Sequence, residues 1–421
     1  MPLNPAFEHQ DKVFSTAFTI LESAIDAHAF PATSVAVTHR GSLIALKAFG
    51  HFTYETTNAP ANYDLPSTET WSAPHLDSFA RCGSDDSVTP TTLFDLASLT
   101  KVVATTPMAM ILYERGLLDL DAPVCTIVPE FTTDAKDPRR KEVTLRQLLT
   151  HSSGLPAYEK LFLKARTRAE LLHAAFSTPL TADPATRAEY SDIGFIILGV
   201  ALERLADEPI DRFCQREIFA PLAMTQTTFN PPADLRRKIP PTADEREDSC
   251  GAGALARDLS VQNKPPTANA EKLRSIFRQK VIQGEVQDEN AYILGGVAAH
   301  AGLFSTAQDL AEYAHTLLTG GHPILRPETI ALFTRRESAP AGTSRALGWD
   351  TPSAPSQSGK YFSAQSYGHL GYTGTSLWID PGRQLAITLL TNRTWPDCSN
   401  QSIKQVRPKF HDAIIEALNK I

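Results

Sequence analysis

Ser98-Leu99-Thr100-Lys101 is the single Ser-x-x-Lys of the chain. A free serine hydroxyl is a poor nucleophile and needs a nearby base, or a cation that lowers its pKa. The tetrapeptide directly follows the apolar stretch Leu93-Phe94-Asp95-Leu96-Ala97 and opens a helical pattern. One turn apart on a helix, Ser98 and Lys101 share a face, so the amine reaches the hydroxyl. A helix N-terminus would add partial positive charge beneath the nucleophile. Alone the motif is weak, because roughly one match arises by chance at this serine content. An N-capping serine beside a surface lysine is the competing reading.

Two further segments are candidates for chemistry. Tyr190-Ser191-Asp192 stands just ahead of an apolar helical run. A tyrosine there is ordinarily packing, but a phenol near a lysine can act as a base because the cation favours the phenolate. Gly368-His369-Leu370-Gly371-Tyr372-Thr373-Gly374-Thr375 is glycine-rich for a strand. Such glycines mark a bulged edge or the close approach of a ligand, and an edge of this kind can aim an N–H at an oxyanion. Other chemistries lack their signatures. Gly374-Thr375-Ser376 and Gly342-Thr343-Ser344 miss the closing glycine of a Gly-x-Ser-x-Gly elbow. No His-Glu-x-x-His and no Gly-x-x-x-x-Gly-Lys loop is present.

The elements that must position these residues can be read from periodicity. Residues 11–28 carry apolar side chains at helix spacing. Residues 34–38 and 42–49 read as strands around Arg40-Gly41. Helical patterns follow at 98–115, 144–150, 168–176, 193–206, 210–219 and 306–318. Strand patterns return at 374–380 and 384–391, flanking the turn dipeptide Pro381-Gly382, and a last amphipathic helix covers about 402–418. Residues 53–92 read as a long surface insertion and 231–285 as an excursion at a lobe edge. Strands at both chain ends with helices between them predict an α+β fold. In it one antiparallel sheet (residues 1–95 with 295–421) is flanked by helices and carries an inserted, mostly helical lobe (96–294). The site is expected in the cleft between them.

Composition narrows the function classes. The 421 residues are 42% hydrophobic and 21% charged, enough for a sizeable core without metal or disulfides. A net charge of −7 without a basic run argues against nucleic acid and anionic membrane as partners. Cys82, Cys125, Cys214, Cys250 and Cys398 are odd in number and scattered, which fits reduced thiols. The N-terminus lacks a basic segment followed by an apolar one, so no signal peptide is expected. The expected location is therefore cytoplasmic. The sequence leaves oligomeric state open.

The order of the three segments resembles the serine β-lactamase and penicillin-binding superfamily, and within it the class C β-lactamase-like branch. That branch includes family VIII carboxylesterases and exo-acting muramyl-peptide amidases. Phe94-Asp95-Leu96-Ala97-Ser98-Leu99-Thr100-Lys101 is similar to the first motif, and Tyr190-Ser191-Asp192 to the second, Tyr-x-Asn. His369-Leu370-Gly371 stands where Lys-Thr-Gly would be. Leu148-Leu149-Thr150-His151-Ser152-Ser153-Gly154-Leu155-Pro156 and the stretch from Gly302-Leu303-Phe304-Ser305 to Asp309-Leu310 resemble structural signatures of the branch. The resemblance implies Ser98 as nucleophile, with Lys101 and Tyr190 moving its proton. It implies an oxyanion hole of the Ser98 and Tyr372 N–H groups, and places His369, Gly371 and Asp192 beside the substrate. It implies neither metal nor cofactor, and a small-molecule ester or amide as the substrate.

Two departures bear on specificity. Asp192 replaces the motif's asparagine, and His369 replaces a lysine that would attract a carboxylate. An added negative charge and a lost positive one disfavour β-lactams and peptide carboxylates, so ester hydrolysis ranks first. Amidase, β-lactamase or peptidase activity, acyl transfer and a non-catalytic role follow. Gly284-Glu285-Val286-Gln287-Asp288-Glu289-Asn290-Ala291 is similar to a segment of the amidase relatives, in which a histidine often stands at the place of Gln287. Ser152 and Ser153 are expected to be helix-terminus structure, and His300 a loop residue.

Overall fold

The computed structural model describes residues 1–54, 86–133, 137–245 and 278–420. β1 (Ala32–His39) and β2 (Ser42–Gly50) pair antiparallel. Arg40 and Gly41 between them both have positive φ, 47° and 80°, the backbone that lets a two-residue turn follow the twist of its strands. β1 then pairs with β10 (Leu385–Thr391), β10 with β9 (Ser376–Asp380), and β9 with β8 (Tyr367–Leu370), all antiparallel. The order β2-β1-β10-β9-β8 joins the two ends of the chain in one sheet. β8 is an edge strand, and it carries His369.

Alternation along β1 divides the sheet's two faces. Val35 and Val37 pack with Phe18 and Leu21 of the Ser15–Asp26 helix and with Phe410 and Ile414 of the Ile403–Leu418 helix. Ala32 and Ala36 turn to the other face, where the Ala307–Leu318 helix lies against β1 and β10. That second cluster continues into the helical region through Val102, Met108, Leu148, Ile193 and Ile197. The nucleophile's segment therefore lies inside one continuous core, with the sheet on one side and helices on the other.

Three features depart from the sequence reading. The helix expected over 98–115 is interrupted. A 3₁₀ turn covers Ala97–Leu99, a π-helical turn Lys101–Thr105, and regular α-helix only Thr106–Glu114. Pro107 has no N–H to return to the preceding turn, and the freed carbonyls take side-chain donors: Tyr313 Oη reaches Val102 O at 2.6 Å. A small sheet, β3 (Phe94–Asp95), β7 (Leu303–Ser305) and β4 (Thr228–Phe229), was not anticipated. Strands of two or three residues are too short to show a period. In the expected excursion at 231–285, β5 (Ala243–Asp244) pairs with β6 (Val281–Ile282), while residues 246–277, like most of the 53–92 insertion, lie outside the described residues.

The cysteine reading needs correction. Cys125 and Cys214 are free, but Cys398 is disulfide-bonded. Spacing along the chain could not reveal this, because a disulfide needs only Cα atoms a few ångströms apart in space. No helix among the described residues is long and apolar enough to cross a membrane.

Candidate active site

Ser98 sits at the centre of the 3₁₀ turn, where side chains three residues apart eclipse one another. This brings Lys101 Nζ to 3.0 Å from Ser98 Oγ. Ala97, just before the serine, has φ 47°, a strained conformation for a residue with a Cβ. Asp95 holds it there: its Oδ1 accepts the Ala97 N–H at 2.8 Å, and its Oδ2 accepts the Gln287 N–H at 2.7 Å. Burial pushes the Asp95 carboxyl up to about 6.

Tyr190 arrives from the other side. Its Oη lies 2.7 Å from Ser98 Oγ and 3.1 Å from Asp192 Oδ1. The stretch from Leu148 to Pro156 positions it. The Glu189 N–H donates to His151 O at 2.8 Å, the Ser191 N–H to His151 Nδ1 at 3.0 Å, and Ser191 Oγ to Pro156 O at 2.6 Å. Ser191 also caps the Asp192–Ala206 helix by accepting the Gly194 N–H. The His151 ring, 4.7 Å from that of Tyr190, backs the phenol. Ser152 accepts or donates locally to Thr150 at the helix terminus, as expected.

Lys101 is fully buried and has two partners besides the serine: Asp192 Oδ1 at 2.6 Å and the His300 carbonyl at 3.0 Å. Burial lowers its pKa and Asp192 opposes this, with burial the larger effect. Burial, then Asp192, raises Tyr190 well above an ordinary phenol. A phenolate is thus disfavoured here, by burial first and by the neighbouring Asp192 carboxylate second. Asp192 is likewise no free anion facing the substrate; its charge is engaged by Lys101. His300, expected as a loop residue, belongs to this cluster twice: its carbonyl meets Lys101, and its Nε2 lies 2.9 Å from Asp288 Oδ1. Beside it, burial and then Asp288 push Glu289 up to about 7.

The opposite wall is β8 and the turn after it. His369 Nδ1 lies 2.8 Å from Leu370 O. A carbonyl only accepts, so Nδ1 carries the proton and Nε2 is a bare acceptor. Burial, then Lys101 and Arg345, hold the ring well below the usual imidazole range, so it is neutral. It packs 5.9 Å from the Tyr190 ring without a hydrogen bond to the phenol. Gly371 lines the cleft, but its N–H is committed to Thr375 O at 2.8 Å. A Cβ there would collide with Thr375 Oγ1 and Leu96 O. Tyr372 N–H, by contrast, has no partner among the described residues. Thr373 Oγ1 donates to Asp95 O at 2.8 Å and Thr375 Oγ1 to Leu96 O at 2.9 Å, which ties this turn to the segment before Ser98.

Ser98, Tyr190, Asp192, His369, Gly371 and Tyr372 line one cleft of about 590 Å³, with Lys101 buried beneath it. Sequence reasoning missed Arg345 on its wall. The Arg345 guanidinium lies 5.6 Å from the Tyr190 ring and 3.7 Å from Asp350. No motif marks it; an arginine in a polar turn carries no signal. Among the described residues no three His, Cys, Asp or Glu side chains are grouped to hold a metal ion.

A sheet from both chain ends, a helical region over it and a buried lysine under a serine define a hydrolase of the serine β-lactamase and transpeptidase fold. Comparison with known proteins gives the family. The Beta-lactamase family model matches residues 18–405, so the chain belongs to that family. A protein of Escherichia coli (strain K12) named "Putative D-alanyl-D-alanine carboxypeptidase" is 32% identical over 321 residues, covering 72% of this chain and 69% of that protein. Among solved structures, EstCE1, a hydrolase with promiscuous acyltransferase activity, aligns with TM-score 0.68 at 19% identity, covering 97% of this chain and all of that one. Simvastatin synthase (LovD) from Aspergillus terreus aligns with TM-score 0.67 at 17% identity, covering 97% and 99%. At such identities these two structures speak for the fold alone.

Proposed function

We propose that this chain is a carboxylesterase working through an acyl-enzyme on Ser98. The observation that carries the reading is the placing of Ser98 Oγ between Lys101 Nζ at 3.0 Å and Tyr190 Oη at 2.7 Å. Lys101, lowered by burial, takes the serine proton as Oγ attacks the carbonyl carbon. The phenol of Tyr190 passes its proton to the leaving oxygen as the ester C–O bond breaks, and the Lys101 ammonium returns one to the phenolate through Asp192 Oδ1, which lies 2.6 Å from Lys101 Nζ and 3.1 Å from Tyr190 Oη. Water then adds to the acyl-enzyme, returns its proton by the same route and releases the acid. The N–H groups of Ser98 and Tyr372 hold the developing oxyanion. Neutral His369 supports an ester preference, because it offers an anionic substrate no charge where the superfamily has a lysine.

A second reading, removal of a C-terminal residue from a peptide, is favoured by Arg345. That cation faces the cleft beside Tyr190, where a substrate carboxylate could reach it, and the Escherichia coli relative's name points the same way. The deciding experiment compares a p-nitrophenyl ester, a peptide ending in D-alanyl-D-alanine and a chromogenic cephalosporin, each with wild type and Ser98→Ala. Mass spectrometry of the trapped intermediate identifies the acylated residue. Ser98-dependent turnover of the ester above the others supports the first reading. Preference for the peptide, lost in Arg345→Ala, replaces it with the second. Adding an alcohol acceptor and measuring product partitioning separates hydrolysis from acyl transfer.

A further inference from the structure

Two arginines lie against the turn that presents Tyr372, and both also reach the lining of the cleft. Arg393 follows β10, and Arg407 belongs to the Ile403–Leu418 helix; both are buried. Buried charges ordinarily sit against opposite charges. Yet among the described residues no carboxylate lies within ion-pairing distance of either guanidinium, and the two repel each other. Burial and then Arg393 push Arg407 down to about 9. Their partners are carbonyl oxygens instead. Arg393 Nε donates to Tyr372 O at 2.7 Å, and its Nη1 to Cys398 O at 2.9 Å and Asn400 O at 3.1 Å. The Arg393 backbone N–H donates to Thr373 O at 3.0 Å. Arg407 Nη2 donates to Gly374 O at 3.2 Å and Thr375 O at 3.3 Å, and its Nη1 to Gln357 Oε1 at 3.0 Å.

The two guanidinium groups therefore hold three of the four consecutive carbonyls from Tyr372 to Thr375, and the fourth, Thr373 O, takes the Arg393 backbone N–H and Thr391 Oγ1; Thr375 O also accepts the Gly371 N–H. Gly371 O, in the peptide plane that carries the Tyr372 N–H, is held by the Gly374 N–H at 3.0 Å. A trans peptide is planar, with N–H opposed to C=O. With Gly371 O held by Gly374, the Tyr372 N–H of the same plane is fixed in the opposite direction, free of any partner among the described residues. The arginine planes also support Tyr372 itself, with Arg393 Cζ 4.5 Å from the centre of its ring. Gly374, at φ 97°, allows the close approach, since a Cβ there would collide with Thr391 Oγ1 and the Arg393 side chain.

We infer that Arg393 and Arg407 are positioning residues of the oxyanion hole, holding the carbonyls of the Tyr372–Thr375 turn and giving the Tyr372 N–H its direction and positive potential. This rests on the proposed acyl-enzyme reading. Donors and charges fixed before the reaction stabilise a developing anion without reorganisation, and buried cations beside them without a carboxylate partner add to that field. A brace for the C-terminal helix alone would need neither the shared run of carbonyls nor two uncompensated charges.

The test uses the intact protein carrying Arg407→Gln, Arg407→Lys and Arg393→Lys. Three quantities are read: kcat and KM for a p-nitrophenyl ester, and the Kd of a phenylboronic acid, whose adduct with a serine is tetrahedral and anionic. Loss of boronate affinity in Ser98→Ala checks the acyl-enzyme reading separately. Arg407→Gln is expected to lower kcat about 10- to 100-fold, less than the loss of a direct oxyanion donor. KM should stay within about threefold, and boronate Kd should weaken by the same factor as kcat/KM. Arg407→Lys, which keeps the charge, should recover part of the loss. A folded Arg407→Gln with wild-type boronate affinity overturns the inference. So does a fall in kcat no larger than the fall in folded fraction. Should Arg407→Gln not fold, Arg393→Lys decides by the same readings, since it keeps the charge and loses the bond to Tyr372 O.

Discussion

The two walls of the cleft treat buried positive charge in opposite ways. On the wall of the nucleophile, Lys101 is paired with Asp192 at 2.6 Å, and the Asp288 carboxylate adds to its field. On the wall of the oxyanion turn, Arg393 and Arg407 are buried without a carboxylate partner among the described residues and touch backbone oxygens. The difference follows from what each wall must do in the proposed mechanism. A lysine that takes and returns a proton needs a pKa set between two states, and a nearby carboxylate opposing burial sets it. A hole that stabilises a transient anion needs fixed positive potential, and a paired carboxylate would cancel it. Net charge near the site says little about this; its distribution between the walls carries the information.

The largest effects come from breaking the nucleophile's wall. Ser98→Ala is expected to lower kcat for the ester by roughly 10³- to 10⁶-fold, and Lys101→Ala nearly as much, since the two act as a unit. Steady-state turnover of both variants checks this, and a loss below tenfold in either contradicts the assigned roles. Asp192→Asn makes the lysine wall resemble the arginine wall, with a buried cation deprived of its partner. Removing the carboxylate removes the main influence that raises Lys101, so the neutral amine is present at lower pH. The acid limb of the kcat/KM profile should move to lower pH, with a lower melting temperature. Breaking a fully buried pair costs about 3–5 kcal/mol, and the cost here is smaller because Asp192 keeps 14% side-chain exposure. An acid limb that stays in place would mean that Asp192 does not set the base.

How much of this contrast was legible in the sequence differs between the walls. The first wall was readable because each part is a short local pattern, Ser98 and Lys101 three apart and Tyr190 at a helix entrance with its capping serine, and the order of these patterns along the chain resembles a known superfamily. The sheet from both chain ends was readable because β1, β2, β9 and β10 are long enough to show their patterns. The second wall was legible only as a glycine-rich strand. Arg393, Arg407 and Arg345 come from three separate segments, and nothing in their neighbours' spacing says that burial will bring two of them against one turn. The break in the helix after Ser98 was missed for a related reason. Apolar periodicity continues through 102–112, while the hydrogen bonds that widen the turn come from Tyr313 and Thr105 to distant partners. Asp192 was read correctly as a charge but with the wrong partner, since residue 101 is far from 192 in sequence and adjacent in space.

A smaller effect is expected at His369, which β8 carries on the wall of the oxyanion turn. It is neutral and makes no hydrogen bond to Tyr190, so His369→Ala should lower kcat/KM only about three- to tenfold through loss of packing against the phenol. Because the ring is held well below the usual imidazole range, its removal should leave the pH profile between 6 and 8 unchanged in shape. A limb that disappears in this variant would show that His369 titrates in the working range and that the cleft is more polar than its packing implies.

Asp95 joins the walls, and its substitution tests whether they move as one piece. Its carboxylate holds Ala97 on the nucleophile side and Gln287 on the acidic loop, while its carbonyl receives Thr373 from the oxyanion turn. Burial raises its carboxyl from 3.8 to about 6. Between those values the folded protein keeps a proton that the unfolded chain has released, so this group's contribution to stability is present at low pH and lost as pH rises through about 6. At about 1.4 kcal/mol per pKa unit, the change across the window is about 3 kcal/mol. Urea unfolding of wild type and Asp95→Asn at pH 4 and pH 7 measures it: the advantage of wild type over the variant should shrink by that order between the two. Activity should fall only a few-fold in Asp95→Asn at neutral pH, because the amide oxygen can still accept the Ala97 N–H and only the second acceptor is lost. A stability difference that does not change with pH would show that Asp95 is ionised throughout and paired more strongly than its two backbone partners explain.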